Sequence, residues 1–172
     1  MSENVVSIKN KKASFEYFIE NTFDAGIVLK GTEVKSIRNG NVNINDAYCV
    51  LENNMVFIKN MHISEYKNAG YTQHQPNTDR YLLLKKNEIK KINDKLKNIG
   101  YTLIPLELFF SESGFAKIKI GIARGKKLYD KREDIKKKDV ERDLARFKYL
   151  IFIIMFLIGL PEYYFFKFFH II

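Results

Sequence analysis

Few side chains in this 172-residue sequence could make or break a covalent bond. Cys49 is the single thiol, and histidines stand at 62, 74 and 170. A nucleophilic cysteine needs a base or a cation beside it to hold the thiolate. Cys49 instead lies in an apolar run, which reads as a buried structural thiol. His62, His74 and His170 lack metal-ligand spacing with one another or with Cys49, so no metal site is expected. Asp24 and Glu33 could suggest a carboxylate pair, but no nucleophile or metal ligand accompanies them. A carboxylate can also accept hydrogen bonds from a nucleobase amino group or an arginine, and that role suits them better. There is no P-loop, G-x-S-x-G or H-E-x-x-H run. The sequence therefore points to no catalytic residue, no cofactor and no enzyme.

The chemistry it does offer is ionic. Residues 125–148 carry ten lysines or arginines against six carboxylates, within a chain of net charge +9. Their apolar residues, Leu128, Ile135, Val140 and Leu144, are too sparse to pin a helix onto a core. Such a segment stays solvated until a polyanion neutralises it. The charge balance implies nucleic acid or an anionic membrane as the partner. A lone cysteine implies no internal disulfide and a reducing compartment.

The rest of the chain must position that segment. Residues 1–13 read as a flexible polar arm with Lys9, Lys11 and Lys12. Residues 15–29 read as strand, interrupted near 24–26. A short helix is expected over 33–38, with Thr32 as N-cap and Gly40 just past its end; Val34 and Ile37 would face in, Lys35 and Arg38 out. Strands follow at 44–51 and 55–63, joined by a turn at 52–54, and then a long polar loop at 66–79. Ile89, Ile92, Leu96 and Ile99 recur with helical period over 86–99. The last hairpin pairs 104–110 with 116–122 around a loop at 111–114. Residues 104, 106, 108 and 110 are all apolar. Pro105 must mark an edge or a bulge, because it cannot donate to a ladder. About six short strands and two helices suggest a small barrel, mainly β with short helices.

Particular stretches resemble the small protein B (SmpB) family, the SsrA- or tmRNA-binding proteins of bacterial trans-translation. They are residues 10–13 (NKKA), 17–20 (YFIE), 23–29 (FDAGIVL), 31–38 (GTEVKSIR), 82–84 (LLL), 125–127 (GKK) and 130–132 (DKR). The resemblance runs from about residue 9 to 146. It implies an OB-fold-like antiparallel β-barrel over 14–124 that binds the tRNA-like domain of tmRNA. It implies a basic C-terminal tail over 125–148, disordered when free and helical in the empty mRNA channel of a stalled ribosome. Localisation would be cytoplasmic and ribosome-associated. The expected RNA-binding residues are Asn10, Lys11, Lys12, Asp24, Lys35, Arg38, Lys117, Lys119 and Arg124. The expected ribosome-binding tail residues are Gly125, Lys126, Lys127, Asp130, Lys131, Arg132, Lys136, Lys137 and Lys138. Residues 78–81 (TDRY) stand where the family carries a basic cluster, and Arg80 is the cation retained there.

Residues 149–172 break the composition, with nine Phe or Tyr in 24 residues. Three readings stay open: a membrane anchor with a basic flank, sequence past the family's usual end, or a segment docked on a partner or on the barrel. A membrane partner would act only through these residues. Two other functions compete with the RNA adaptor. One is a membrane-tethered basic protein; the other is a general single-strand RNA-binding OB protein.

Overall fold

The computed structural model describes residues 7–67, 69 and 73–157. The chain falls into two compact units, residues 1–126 and residues 127–172. The first contains β1 (Ser7–Lys9), α1 (Ala13–Glu16), β2 (Tyr17–Ile27), α2 (Gly31–Arg38), β3 (Val42–Asn43), β4 (Tyr48–Glu52), β5 (Met55–Lys59), β6 (His62–Ile63), β7 (Arg80–Leu83), α3 (Lys86–Leu96), β8 (Tyr101–Phe110) and β9 (Ala116–Gly125).

The main sheet is antiparallel, in the order β1-β8-β4-β5-β7-β2-β9, and β9 pairs back onto β8. The strands thus curl into an OB-like barrel. Its weakest seam is β4 against β8, a single residue pair, Cys49 with Leu103. Inward-facing residues fill it: Ile58, Leu82, Leu103, Leu108, Ile118, Ile120 and Ile122 are fully buried, joined by Ile37 from α2 and Ile92 from α3. Cys49 is buried in the same core, and desolvation pushes its thiol far above the ordinary range. This is the structural thiol expected, not a nucleophile.

Local chemistry explains the turns. Glu52 pairs with Met55, and the two residues between them, Asn53 and Asn54, have φ of 50° and 59°. Those are type I′ values, which asparagine tolerates better than most residues. Gly40 takes φ 75° past α2, where a Cβ would be strained.

Several sequence expectations need correction. Ser7–Lys9, assigned to a flexible arm, form β1 and pair with Glu107–Phe109 of β8; residues 1–6 lie outside the described residues. The break expected near 24–26 is absent. β2 runs through those residues, and its irregularity falls between Ile19 and Asn21. Thr32 does not cap α2; the cap residue is Lys30, whose backbone N–H donates to the Glu33 carboxylate at 2.7 Å. α3 stops at Leu96, which leaves Ile99 fully exposed. The β8–β9 register slips between Pro105 and Glu107. This bulge, expected at Pro105, reverses the alternation beyond it. Leu108 and Phe110 face the main core, whereas Ile104 and Leu106 pack with Ala13 and Ala123 in a smaller cluster.

In the second unit, α4 (Leu128–Leu157) is one helix. The tail expected to lack structure until bound is therefore helical here. Its own charges favour this. The Asp130 carboxylate accepts the Lys127 backbone N–H at 3.0 Å, and Arg142–Asp139 and Arg146–Asp143 are ion pairs three residues apart. Leu128, Ile135, Val140 and Leu144 are all exposed, so no apolar stripe is covered.

One buried ion pair fastens the first unit. Arg80 and Glu33 are 3% and 4% exposed, and Arg80 Nε donates to Glu33 Oε1 at 2.9 Å. Replacing Arg80 by Met leaves a carboxylate stranded in the interior. It should cost about 3–5 kcal/mol of unfolding free energy, measured by urea titration. Arg80→Met combined with Glu33→Gln should cost less than the two single losses added together. Simple additivity would show that the pair is not coupled.

Candidate nucleic-acid interface

Strands β5, β7, β2, β9 and β8 present one continuous outer wall. Across it the register sets side chains in rows. Asp24 faces Lys119, and Lys119 faces Glu107. In the next row Gly26 lies between Leu83 and Lys117, and Lys117 faces Phe109. Lys119 Nζ stands 4.0 Å from the Glu107 carboxylate and 5.8 Å from the Phe109 ring centroid. Asp24 and Lys117 are exposed, with no ionic partner among the described residues. One half of the wall is therefore ionic.

The other half is apolar and uncovered. Leu83 is 53% exposed, Val28 50% and Met55 40%. Phe57 and Tyr81 form a tilted ring pair at 5.6 Å beside them. At Gly26 a Cβ would lie in ordinary contact with the Leu83 side chain, 3.4 Å away. Sequence reasoning missed these residues. Leu82, Leu83 and Leu84 are all apolar, so hydropathy does not say which faces out. The signal available was the run itself: in a strand, alternate residues must point to opposite faces.

Other predicted contacts lie elsewhere. Lys35 and Arg38 are exposed on α2, outside the wall. Lys35 Nζ lies 5.4 Å from the Tyr66 ring centroid, and the Arg38 guanidinium 5.5 Å from that of Phe110. Arg124 is exposed near the end of β9, paired with Phe18 and Tyr101. Beside it the Tyr101 hydroxyl donates to Glu20 at 2.5 Å, and Lys95 follows at 3.1 Å. Together these bonds hold the Glu20 carboxyl below its usual range.

Asn10 requires a correction. It is buried, and its amide N–H groups donate to the carbonyls of Ile44 and Pro105 at 3.1 and 3.0 Å. Its Oδ1 accepts the backbone N–H groups of Lys12 and Ala13, both at 3.1 Å. All its hydrogen-bonding capacity is used, so Asn10 fixes the turn that presents Lys11 and Lys12 and has none left for a ligand. Lys11 is exposed, and Lys12 pairs with Asp46 at 2.6 Å. Arg80, the cation retained in residues 78–81, is buried against Glu33 and offers nothing to solvent.

His74 is buried between Thr32 Oγ1 at 3.0 Å and the Ile63 carbonyl at 3.2 Å, and His62 meets Asn77. His170 lies outside the described residues. At the root of the tail, Gly125 pairs with Tyr17, and the Lys126 backbone N–H donates to Glu16 at 2.9 Å. The Lys126 ammonium donates to the Ser14 carbonyl at 2.8 Å and lies 4.9 Å from the Phe18 ring centroid. Lys131, Arg132, Lys136, Lys137 and Lys138 ride on α4, all but the half-buried Lys131 exposed.

The family model described as SmpB protein matches residues 7–149. The chain belongs to the SmpB family. An SsrA-binding protein of Cytophaga hutchinsonii is 52% identical over 143 residues, 83% of this chain and 94% of that protein. One from Geobacillus thermodenitrificans is 50% identical over 144 residues, 84% and 92% of the two chains. Among solved structures, a chain from "tmRNA-SmpB: a journey to the center of the bacterial ribosome" matches with a TM-score of 0.61 and 40% identity. It covers 80% of this chain and 96% of that one. The SmpB match thus takes in the whole barrel and the basic part of α4, and leaves residues 150–172 outside.

Because Asn10 acts within the fold, Asn10→Ala should lower unfolding stability by about 1–3 kcal/mol. An unchanged denaturation midpoint would return Asn10 to the ligand-contacting residues.

Proposed function

We propose that this SmpB-family chain is an RNA-binding adaptor of trans-translation. It binds the tRNA-like domain of tmRNA and brings it to stalled ribosomes. The relatives are SsrA-binding proteins, and a structural neighbour comes from a tmRNA–SmpB–ribosome study. The observation that carries the reading at residue level is the outer wall. Lys117, Lys119 and Asp24 sit within one or two strand spacings of an exposed apolar surface formed by Leu83, Met55 and Val28. Phosphates meet the lysines, and Asp24 accepts from a base amino group. The apolar half packs on ribose and base faces exposed in the shallow groove or in loops of a folded RNA.

Lys11 and Lys12, Arg124, and Lys35 with Arg38 would extend the positive field around the body. The second unit acts afterwards. Lys127, Lys131, Arg132, Lys136, Lys137 and Lys138 on α4 neutralise ribosomal RNA phosphates along the empty mRNA channel. Lys126 and Asp130 serve the tail differently, one holding its root and the other capping its helix. The chain is an adaptor and not a catalyst, and it works in the cytoplasm on the ribosome.

Two measurements test this division. About five neutralised phosphates give log K against log salt a slope of about −4. Filter binding with the tRNA-like domain should reproduce that slope, and an affinity independent of salt would remove the electrostatic mechanism. Lys117→Ala with Lys119→Ala should weaken capture of tmRNA by about tenfold or more. Lys131→Ala with Arg132→Ala should leave capture nearly intact and abolish ribosome rescue. Equal loss of both activities in the tail variant would refute the separation.

A further inference from the structure

Glu107 has no part in the RNA contact proposed for the wall, yet it stands among the residues that would make it. It is the only acid in β8, YTLIPLELFF. The strand registers put it in a row of alternating charge across four strands: Asp24 of β2, Lys119 of β9, Glu107 of β8 and Lys9 of β1. The next row holds Gly26, Lys117, Phe109 and Ser7. A diagonal contact joins the two rows, the Ser7 hydroxyl donating to Glu107 Oε1 at 2.5 Å. Glu107 Oε2 lies 4.0 Å from Lys119 Nζ, too far for a hydrogen bond, and accepts none among the described residues. One oxygen of a half-buried carboxylate is therefore held, and the other is left without a donor. Ion pairing alone explains this residue poorly, because a partly exposed pair at that distance contributes little. The charge also has a cost: it repels every phosphate that approaches the lysines on either side.

We propose that Glu107 makes this wall selective among polyanions, a role that presupposes the RNA-binding reading. Lysines alone accept any chain of phosphates, and such contacts carry no information about the ligand. A fixed negative charge among them disfavours all such chains alike, which is selection by repulsion. An ionised carboxylate can only accept hydrogen bonds. A ligand that sets a hydroxyl or amino hydrogen on Oε2 therefore recovers the loss through a charge-assisted bond. Folded RNA can do this, since its shallow groove shows 2′-hydroxyls and base edges close to the phosphates. A bare phosphate chain cannot. Ser7 is the positioning residue here: its hydroxyl fixes the carboxylate, so that the open oxygen is offered at one place on the wall.

Binding of three ligands to the full chain at one salt concentration tests this: the tRNA-like domain, a DNA copy of it, and long-chain inorganic polyphosphate. Glu107→Gln should bind polyphosphate about tenfold more tightly and gain much less on the RNA, so that the ratio of the two affinities falls. Glu107→Asp keeps the charge and should keep most of the parent's ratio. Two results support the proposal and differ in the donor they assign. If Glu107→Gln also loses the preference for RNA over DNA, the donor is the 2′-hydroxyl; if that preference survives, it is a base amino group. The proposal is overturned if Glu107→Gln leaves the ratio of RNA to polyphosphate affinity at the parent's value. It is overturned equally if Glu107→Asp shifts that ratio as far as Glu107→Gln does, since the residue would then serve only the packing of β8. A parent chain that does not bind the tRNA-like domain would refute the RNA reading, and this role with it.

Discussion

The ion pair between Glu33 and Arg80 sets the frame for much of the first unit. Arg80 sits at the start of β7 and Glu33 in the first turn of α2. Arg80 Nε and Nη2 both reach Glu33 Oε1 at 2.9 Å. Its remaining N–H groups go to the carbonyls of Met61, Thr78 and Pro76 at 2.7, 2.8 and 3.0 Å. Glu33 Oε2 takes the Lys30 backbone N–H, which starts α2. Every donor of the guanidinium is used, as a buried arginine demands. Such a pair adds little net stability, because desolvation offsets most of the attraction. What it contributes is geometry. One side chain ties the helix, the strand and the backbone at Met61, Pro76 and Thr78 to one another.

That arrangement leaves the outer wall free. α2 and the loop are tied to one another, and the α2 side chain Ile37 fills the core. The outer wall carries the exposed Lys117 and the half-buried Lys119 beside the exposed Leu83, Met55 and Val28. Exposed apolar side chains gathered beside cations are the feature on which the proposed RNA contact rests. In the proposed contact the two halves would do different work: charge gathers a polyanion from a distance, and apolar contact rewards close fit.

The tail obeys another rule. Its cations outnumber its acids, and its few apolar side chains face solvent, so it does not belong to the core. Its helix is supported by short-range pairs and by the Asp130 cap, each of which contributes only a fraction of a kcal/mol to about 1 kcal/mol. A helix so weakly supported can serve a partner that supplies the rest of the stabilisation.

The β-rich character of the body was legible from strand alternation, and the cationic and apolar stretches after it from composition. So were the Asn53–Asn54 turn, the irregularity at Pro105 and the burial of Cys49, because each follows from a property of the residue itself. The parity reversal after the β8 bulge was not legible, since one extra residue in a strand leaves no trace in hydropathy. Nor was the fate of the polar residues. Asn10 was expected on the RNA face because the resemblance carries it there, and only the carbonyls of Ile44 and Pro105, distant in sequence, show it turned inward; Arg80 is likewise turned inward by Glu33 and the Met61 carbonyl. Leu83 was the converse case, an apolar residue that strand pairing turned outward. Sequence determined what each segment could be, through charge, propensity and turn chemistry. Which polar groups were consumed inside and which were left exposed was decided by tertiary structure, because hydrogen-bond satisfaction depends on neighbours that only folding supplies.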